Sequence, residues 1–442
     1  MRLIQTIKNI FKIEDLRARL IYTFSIILLY RLGKYISLPG VDPSQLTNLQ
    51  NQTSSGIMGL LDMFSGGAFS QASIFALGIM PYISASIVVQ LLGIVFPYFQ
   101  KLQKEGESGR RKMNQYTRYL TVAVLVLQAP TYLVNLHAQL PASAFILTGT
   151  FFTISSVIIL TAGTMFVMWL GEKITDKGIG NGISLIIMIG IIARLPANFV
   201  FEAGARMNGA GGLVAIIVEL VILFVVVLGT ILLVQGTRRV PVQYARRIVG
   251  NKQYGGVRQY IPLKVNAAGV MPIIFAQAIM MLPVIIAGYS ESGSGFVVAF
   301  TNMYGFWYNL VTGLLIILFT YFYTAITINP VQMAEDMKKN GGFIPGIKPG
   351  RKTVEFIDSI MSKITLPGSV FLAIIAILPA IAVQAGITPQ FAQFFGGTTL
   401  LILVGVVLDT LQQIESHLLM RHYDGLMKSG RVKGRSGAVQ SV

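Results

Sequence analysis

The 442-residue chain contains no cysteine, only three histidines and few charged residues, which make up 12% of its composition. Without cysteine, disulfides, thiolate metal sites and a cysteine nucleophile are excluded. His137, His417 and His422 have no acidic cluster at metal-site spacing, so we expect no metal, no cofactor and no enzymatic activity. The glycine-rich run 178–182 lacks phosphate-binding spacing and a preceding strand, which argues against nucleotide binding. Hydrophobic residues reach 53%, which is typical of a polytopic membrane protein.

Positive charge is unevenly distributed along the sequence. Of the 35 lysines and arginines, all except Arg31, Lys34, Arg194 and Arg206 lie at the ends of apolar segments or in loops that alternate along the chain. Because positive residues near membrane spans are retained on the cytoplasmic side, these crowded loops and both chain ends are predicted to be cytoplasmic. The excess of basic over acidic residues, which gives a net charge of +17, then lies on the cytoplasmic side, where it suits binding of anionic lipid headgroups, nucleic acid or an acidic partner.

Ten apolar segments are predicted to cross a hydrocarbon core of roughly 30 Å. They lie at residues 20–36, 73–95, 119–136, 151–170, 183–195, 213–234, 267–287, 307–328, 366–386 and 394–411. We expect the short fifth segment to extend through Pro196 to about Phe201. An even number of spans agrees with both chain ends lying on the same side of the membrane. Two five-span halves of opposite topology are geometrically permitted, although the sequence shows no compelling internal repeat.

Two further apolar segments are too short or too charged to span. In residues 1–19, apolar residues recur at helical spacing, which predicts a short amphipathic helix on the inner membrane surface, with a solvated tail as the alternative. No hydrophobic core with a cleavage site precedes the first span, so that span is expected to direct insertion. Residues 57–64 are apolar and are followed by Gly66 and Gly67, which predicts either a re-entrant, plug-like segment or an interfacial helix.

Charged side chains within the predicted spans are scarce, and Glu219 and Asp409 are the candidates. Ion-coupled transporters use such groups near the midplane to bind protons or cations. Their scarcity favours a channel over the alternative, a small-solute secondary transporter. Three glutamines, Gln90, Gln128 and Gln277, lie in three different spans, where hydrogen bonding between helices is their ordinary role.

Eight segments together resemble the SecY family, the channel subunits of the bacterial Sec protein translocase. They are residues 63–68, 72–86, 104–112, 163–166, 168–172, 178–184, 263–266 and 343–350. The resemblance covers nearly the whole chain and implies an all-α membrane protein with ten transmembrane helices in two pseudo-symmetric halves of five around a central pore. The implied divisions are a cytoplasmic segment 1–19, a first half 20–201, a second half 202–413 and a cytoplasmic tail 414–442.

The function that this resemblance implies is protein translocation across the bacterial plasma (inner) membrane. Unfolded secretory polypeptides would pass through the pore, and hydrophobic segments would leave sideways into lipid through a lateral gate. The partners that the resemblance implies are SecE and SecG in a heterotrimer, the SecA ATPase, the translating ribosome, signal sequences, secretory polypeptides and membrane lipids.

The resemblance also implies roles for particular residues. A plug at about 57–71 would fill the outer funnel, through Ile57, Leu60, Leu61, Met63, Phe64, Ser65, Gly66 and Gly67. The constriction would be a ring of Ile79, Ile83, Ile183, Ile187, Ile274 and Ile402. Branched apolar side chains seal by dewetting and offer no fixed hydrogen bond that would retain a passing polypeptide. The lateral gate would lie between the second and third spans and the seventh and eighth, the set that contains Gln90, Gln128 and Gln277.

Two long basic loops, 235–265 and 329–365, are implied to dock SecA or the ribosome. Their basic residues are Arg238, Arg239, Arg246, Arg247, Lys252 and Arg258 in the first loop and Lys338, Lys339, Lys348, Arg351 and Lys352 in the second. Ribosomal RNA would be held mainly through salt-sensitive phosphate contacts. Lys348 stands where many relatives carry arginine, so the charge is kept while the planar bidentate fork is lost. Arg351 is the candidate to compensate.

Overall fold

The computed structural model describes residues 13–46, 62, 65–147, 149–209, 212–244, 247–249, 252–254, 258–277, 279–280 and 302–428. Helices dominate these ranges. They are α1 (Glu14–Gly33), α2 (Met80–Val95), α3 (Pro97–Lys104), α4 (Glu107–Gln139), α5 (Thr150–Lys177), α6 (Gly182–Asn208), α7 (Gly212–Gln235), α8 (271–277), α9 (Phe306–Thr327), α10 (Pro330–Lys339), α11 (Arg351–Gln384), α12 (Pro389–Ala392) and α13 (Gly397–Lys428). The strands are β1 (Thr237–Tyr244), β2 (Arg247–Val249), β3 (Lys252–Tyr254), β4 (Arg258–Lys264) and β5 (Gly342–Phe343).

The described residues pack as two units. The first contains the residues before Ala193 and those after Gly405, and the second contains Ala193 to Gly405. The chain passes from one unit to the other within α6 and within α13.

Seven helical segments in the described ranges are long and apolar enough to cross a membrane: α4, α5, α6, α7, the α9–α10 run, α11 and α13. The helices α2 and α3 meet at 102° and make an eighth if the bent pair counts as one span. These segments confirm the predicted helical, polytopic membrane class. The count of ten spans stays a prediction, and the predicted amphipathic helix lies mostly in residues 1–12, outside the described residues.

Within the predicted second span, 73–95, the helix begins only at Met80. The predicted start of this helix is therefore wrong. Residues 73–79 form turns, in which Gly78 has a φ of +56° that favours glycine. Pro81 then occupies the first turn of α2, where its missing N–H costs no helical hydrogen bond. The fifth span is confirmed to continue through Pro196 and ends at Asn208, beyond the predicted limit. The seventh, 267–287, is described only as far as residue 280.

A small antiparallel sheet in the second unit was missed by the sequence analysis, which treated 235–265 and 329–365 as loops. The strand order is β4-β1-β5, with Thr237 opposite Lys264 and Tyr244 opposite Gly342. Val240 and Val242 face inward at alternate positions of β1, as strand geometry requires. With Leu263 they form one apolar cluster with the second loop, through Met337, Ile344, Ile357 and Met361. The sheet and this cluster therefore join the two basic loops.

Candidate functional site

The end of the predicted plug is held by hydrogen bonds inside the first unit. Ser65, Gly66 and Gly67 are buried, while Ile57, Leu60, Leu61, Met63 and Phe64 lie outside the described residues. On α1, the Tyr30 hydroxyl donates to the Ser65 carbonyl at 3.1 Å and Arg31 Nη1 donates to the Gly66 carbonyl at 3.3 Å. Gly66 has a φ of +66°, and an added Cβ would lie 2.9 Å from the Gly190 Cα. Glycine is therefore required here for both conformation and space.

A second set of bonds fixes the residues that follow Gly67. The Tyr132 hydroxyl of α4 donates to the Phe69 carbonyl at 3.0 Å, and the Ser70 amide donates to Asp62 Oδ1 at 2.8 Å. Asp62 is 1% exposed. The sequence pattern did not predict Tyr30, Arg31, Asp62 or Tyr132 as residues of this site. The one signal in the sequence was that Arg31 is one of four basic residues outside the crowded loops.

The predicted ring residues are divided between the two units. Ile79 precedes α2 and Ile83 lies within it, one helical turn apart; Ile183 and Ile187 have the same spacing on α6. Ile79 and Ile187 are buried, at 1% and 5% exposure. Ile83 and Ile183 are half-buried in the first unit, and Ile274 on α8 and Ile402 on α13 are half-buried in the second. The ring stays a prediction.

The predicted gate glutamines have different surroundings. Gln90, half-buried on α2, lines a cavity of about 520 Å³ with Gln103 of α3 and Arg110 and Asn114 of α4. Gln128 is exposed on α4 in the same unit, and Gln277 is half-buried at the end of α8 in the other unit. The cavity beside Gln90 is lined by charged and amide side chains and also by Val89 and Met113, so this part of α2 borders a space of mixed polarity.

The basic residues of the two predicted docking loops are exposed wherever the structure describes their side chains. Arg238 and Arg239 lie on β1, Lys338 and Lys339 end α10, and Lys348 precedes α11. Arg246 lies outside the described residues, and Arg247, Lys252 and Arg258 belong to β2, β3 and β4.

Lys348 lies in a turn that is fixed by the start of α11. The Thr353 hydroxyl donates to the Lys348 carbonyl at 3.1 Å, and Gly350 caps the helix with a φ of +105°. Arg351 and Lys352 both contact Glu355, at 3.3 Å and 3.7 Å, with side chains that are 93% and 75% exposed. Such surface pairs contribute little to stability, so both side chains are available to a partner.

The glycine-rich run 178–182 makes structural contacts within the first unit. The amide of Ile179 donates to Thr23 Oγ1 at 3.2 Å, that of Gly180 to Gln413 Oε1 at 2.9 Å, and that of Gly182 to Thr175 Oγ1 at 2.9 Å. These amides bond side chains of α1, α13 and α5. The run therefore joins three helices.

The two candidate charges within the spans have protein partners. Arg206 Nη2 lies 2.6 Å from Glu219 Oε1, and the Gln413 amide donates to Asp409 Oδ2 at 3.2 Å. Asp409 and Gln413 are one turn apart on α13, on an exposed part of the helix. Asp409 is therefore held by a neighbouring amide, whereas Glu219 belongs to an ion cluster.

The comparisons with known proteins agree with this fold. The SecY family model matches residues 73–411. A Corynebacterium glutamicum protein named protein translocase subunit SecY is 45% identical over 438 residues, which cover 95% of this chain and 98% of that protein. A Mycobacterium tuberculosis protein of the same name is 44% identical over 440 residues, covering 94% of this chain and 97% of that protein.

Two solved structures share the fold at low sequence identity. One, described as the structure of a protein conducting channel, has a TM-score of 0.58 and 17% identity, and the match covers 90% of this chain and 92% of that one. The other, Sec61 in a canine ribosome-channel complex from the endoplasmic reticulum, has a TM-score of 0.54 and 16% identity over the same shares. With a family model that matches most of its length, the chain belongs to the SecY family.

Proposed function

We propose that this chain is the channel-forming subunit of a protein translocase. It passes unfolded secretory polypeptides across the membrane and releases hydrophobic segments sideways into lipid. The observation that carries the proposal is the 45% identity, over 95% of the chain, to a protein named protein translocase subunit SecY. The channel is passive and has no catalytic site, so the energy comes from a partner.

The hydrogen bonds of the first unit support the proposed plug, because they fix the residues at its end. Four hydrogen bonds hold residues 65–70 against α1, α4 and Asp62. The six isoleucines provide the apolar constriction, which excludes water while the channel is closed. The halves 20–201 and 202–413 clasp this pore.

A translocation assay tests the proposed function. The chain is reconstituted into vesicles with SecE and SecG, and SecA, ATP and a radiolabelled secretory precursor are added. We expect precursor to become protected from added protease only when ATP and this chain are both present. Precursor that stays digestible, together with vesicles that accumulate a small solute, would contradict the proposal and favour a secondary transporter.

The gate proposal concerns Gln90, Gln128 and Gln277. They make the contact between the gate helices weakly polar, so that a signal sequence can separate these helices at a modest cost in free energy. Changing all three to leucine is expected to reduce translocation of precursors with weak signals more than of those with strong ones. Gln235→Leu, an exposed position at the end of α7, is the matched control. Unchanged translocation of weak-signal precursors would assign the glutamines to ordinary packing.

The joined basic loops are proposed to be the landing surface for SecA and for the translating ribosome. Lys348→Ala and Arg351→Ala are each expected to lower SecA-driven translocation, whereas Lys177→Ala, an exposed basic residue at the end of α5 and outside both loops, is expected not to. Ribosome affinity should fall steeply with salt, because the contacts are to RNA phosphates. Full SecA-driven activity in both loop variants would rule out this site.

The location proposed is the bacterial plasma (inner) membrane, with both termini in the cytoplasm and the segments 1–19 and 414–442 on that side. This orientation is supported by the positions of the basic loops, because such loops are retained on the cytoplasmic side. Because the chain lacks cysteine, a single cysteine can be labelled cleanly. Lys264→Cys should react with an impermeant maleimide only after cells are opened, whereas Ser143→Cys should react in intact cells. The reverse pattern would contradict the orientation.

A further inference from the structure

Two carboxylates and one guanidinium form a cluster in the second unit, at the end of α6 away from Gly182. Arg206 Nε lies 3.0 Å from Glu202 Oε1, and Arg206 Nη2 lies 2.6 Å from Glu219 Oε1. Glu202 and Arg206 belong to α6, and Glu219 belongs to α7. The amide of Thr388, just before α12, donates to Glu202 Oε2 at 2.9 Å, and its hydroxyl donates to the same oxygen. The cluster thus joins α6, α7 and the segment after α11.

The cluster is buried and its formal charges do not balance. Glu202 is 1% exposed and Glu219 is 5% exposed, and the side chain of Arg206 is 16% exposed. With both carboxyl groups ionised, the three side chains carry a net charge of −1. A buried charge without a counter-charge is strongly unfavourable, and a titratable group in that position takes up a proton instead.

The two carboxyl groups differ in how well they are satisfied. Glu202 accepts hydrogen bonds from Arg206 and twice from Thr388, the pattern expected of an ionised carboxylate, which is only an acceptor. Glu219 is within ion-pair distance of Arg206 through Oε1, but neither of its two buried oxygens has a hydrogen-bond partner among the described residues. The proton that would balance the cluster therefore belongs at Glu219, on Oε2, because the ion-pair contact with Arg206 is made by Oε1.

We propose that Glu219 carries a proton in the folded protein at neutral pH, which makes the cluster a proton-binding site that the passive channel function does not require. The proton comes from a hydronium ion of the solvent: one O–H bond of hydronium breaks, the O–H bond at Glu219 Oε2 forms, and a water molecule is released. Glu202 stays an anion, Arg206 stays a cation and the cluster is neutral. Glu219 Oε1 stays next to the Arg206 guanidinium, so the contact between α7 and α6 is kept.

The groups that face Glu219 from the surrounding described elements do not supply another counter-charge. On α6 they are Glu202 and Arg206, and Arg194 is twelve residues before Arg206, roughly 18 Å along the helix. On α7, Glu219 is the only charged residue, and residues 386–396 contain none. Charged residues of α11 end at Lys363, and the neighbouring titratable group is Tyr304, whose hydroxyl bonds Gln393.

Infrared spectroscopy of the intact complex in lipid nanodiscs tests the proposal directly. At neutral pH, subtracting the spectrum of Glu219→Gln from that of the unmodified protein should leave a carbonyl band of a protonated carboxylic acid. Glu202→Gln should lose the same band although it keeps Glu219, because Arg206 would then balance Glu219 alone. Identical spectra of the unmodified protein and Glu219→Gln in this region would overturn the proposal.

Thermal unfolding across pH gives an independent test. The unfolded chain releases this proton near the ordinary carboxyl pKa of about 4.3, whereas the folded protein keeps it, so unfolding becomes easier as the pH rises. We expect the unfolding temperature to fall between about pH 5 and about pH 7, by more in the unmodified protein than in Glu219→Gln. Equal pH dependence would overturn the proposal. So would stabilisation by sodium chloride over choline chloride that Glu219→Gln abolishes, because a bound metal cation would then replace the proton.

Discussion

Replacing Leu263 with alanine is expected to loosen both basic loops at once, although the change removes no charge. Leu263 lies on β4, is 4% exposed and packs in the apolar cluster that includes Met337 and Ile344 of the second loop. A buried leucine-to-alanine change costs roughly 2–5 kcal/mol, because apolar contacts are lost and a cavity remains. Since 1.4 kcal/mol is a factor of ten, the lower value predicts opening of the sheet about 30 times more often.

Hydrogen exchange measured by mass spectrometry on the intact complex reads this opening frequency. Amides of β1 and β5 should exchange at least about 30-fold faster in Leu263→Ala, because local opening limits their exchange. Lys264→Ala, at the next and exposed position of β4, should leave the rates unchanged. Faster exchange confined to β4, with β5 unaffected, would refute the idea that the sheet and its apolar cluster join the loops.

Two further substitutions test the packing of the first unit, one by thermal unfolding and the other by the yield of folded protein. Tyr132→Phe leaves the buried Phe69 carbonyl without its donor and should cost about 1–3 kcal/mol; an unchanged unfolding temperature would contradict the bond. Gly182→Ala would place a Cβ 2.0 Å from the Gly171 carbonyl oxygen and should sharply reduce the yield of folded protein, whereas Gly204→Ala, with nothing within 4 Å, should be tolerated. Equal yields of the two glycine variants would contradict the close approach.

The membrane helices could largely be predicted from the sequence, because burial in lipid demands long apolar runs. The segment 213–234 contains one charged residue, Glu219, and coincides with α7 within one residue at each end. The start of α2 could not be predicted, because residues 73–79 are as apolar as a membrane-spanning helix. They form turns instead, held by hydrogen bonds such as the one that the Phe75 amide donates to Ser73 Oγ. Apolar content indicates which segments lie within the membrane, but it does not determine their local backbone conformation.

The candidate site was less accessible to sequence reasoning. The short sheet could not be predicted because the apolar alternation typical of a strand is very brief here. On β1 only Val240 and Val242 face inward, and they stand among charged residues and a proline. The bonds from Tyr30 and Tyr132 to the 65–70 turn end on backbone carbonyls, which every residue type carries. Contacts of that kind are set by tertiary packing, so residue types and spacing do not reveal them.

The proposal that an aliphatic ring surrounds a moving polypeptide is tested most directly by crosslinking. Single cysteines replace Ile83 or Ile274 in the otherwise cysteine-free chain, and a secretory precursor with one cysteine is stalled during SecA-driven transport. We expect disulfide adducts at both positions and none at Ile158 or Leu232, exposed by 63% and 74% on α5 and α7. Adducts absent from Ile83 and Ile274 while transport proceeds would contradict the account.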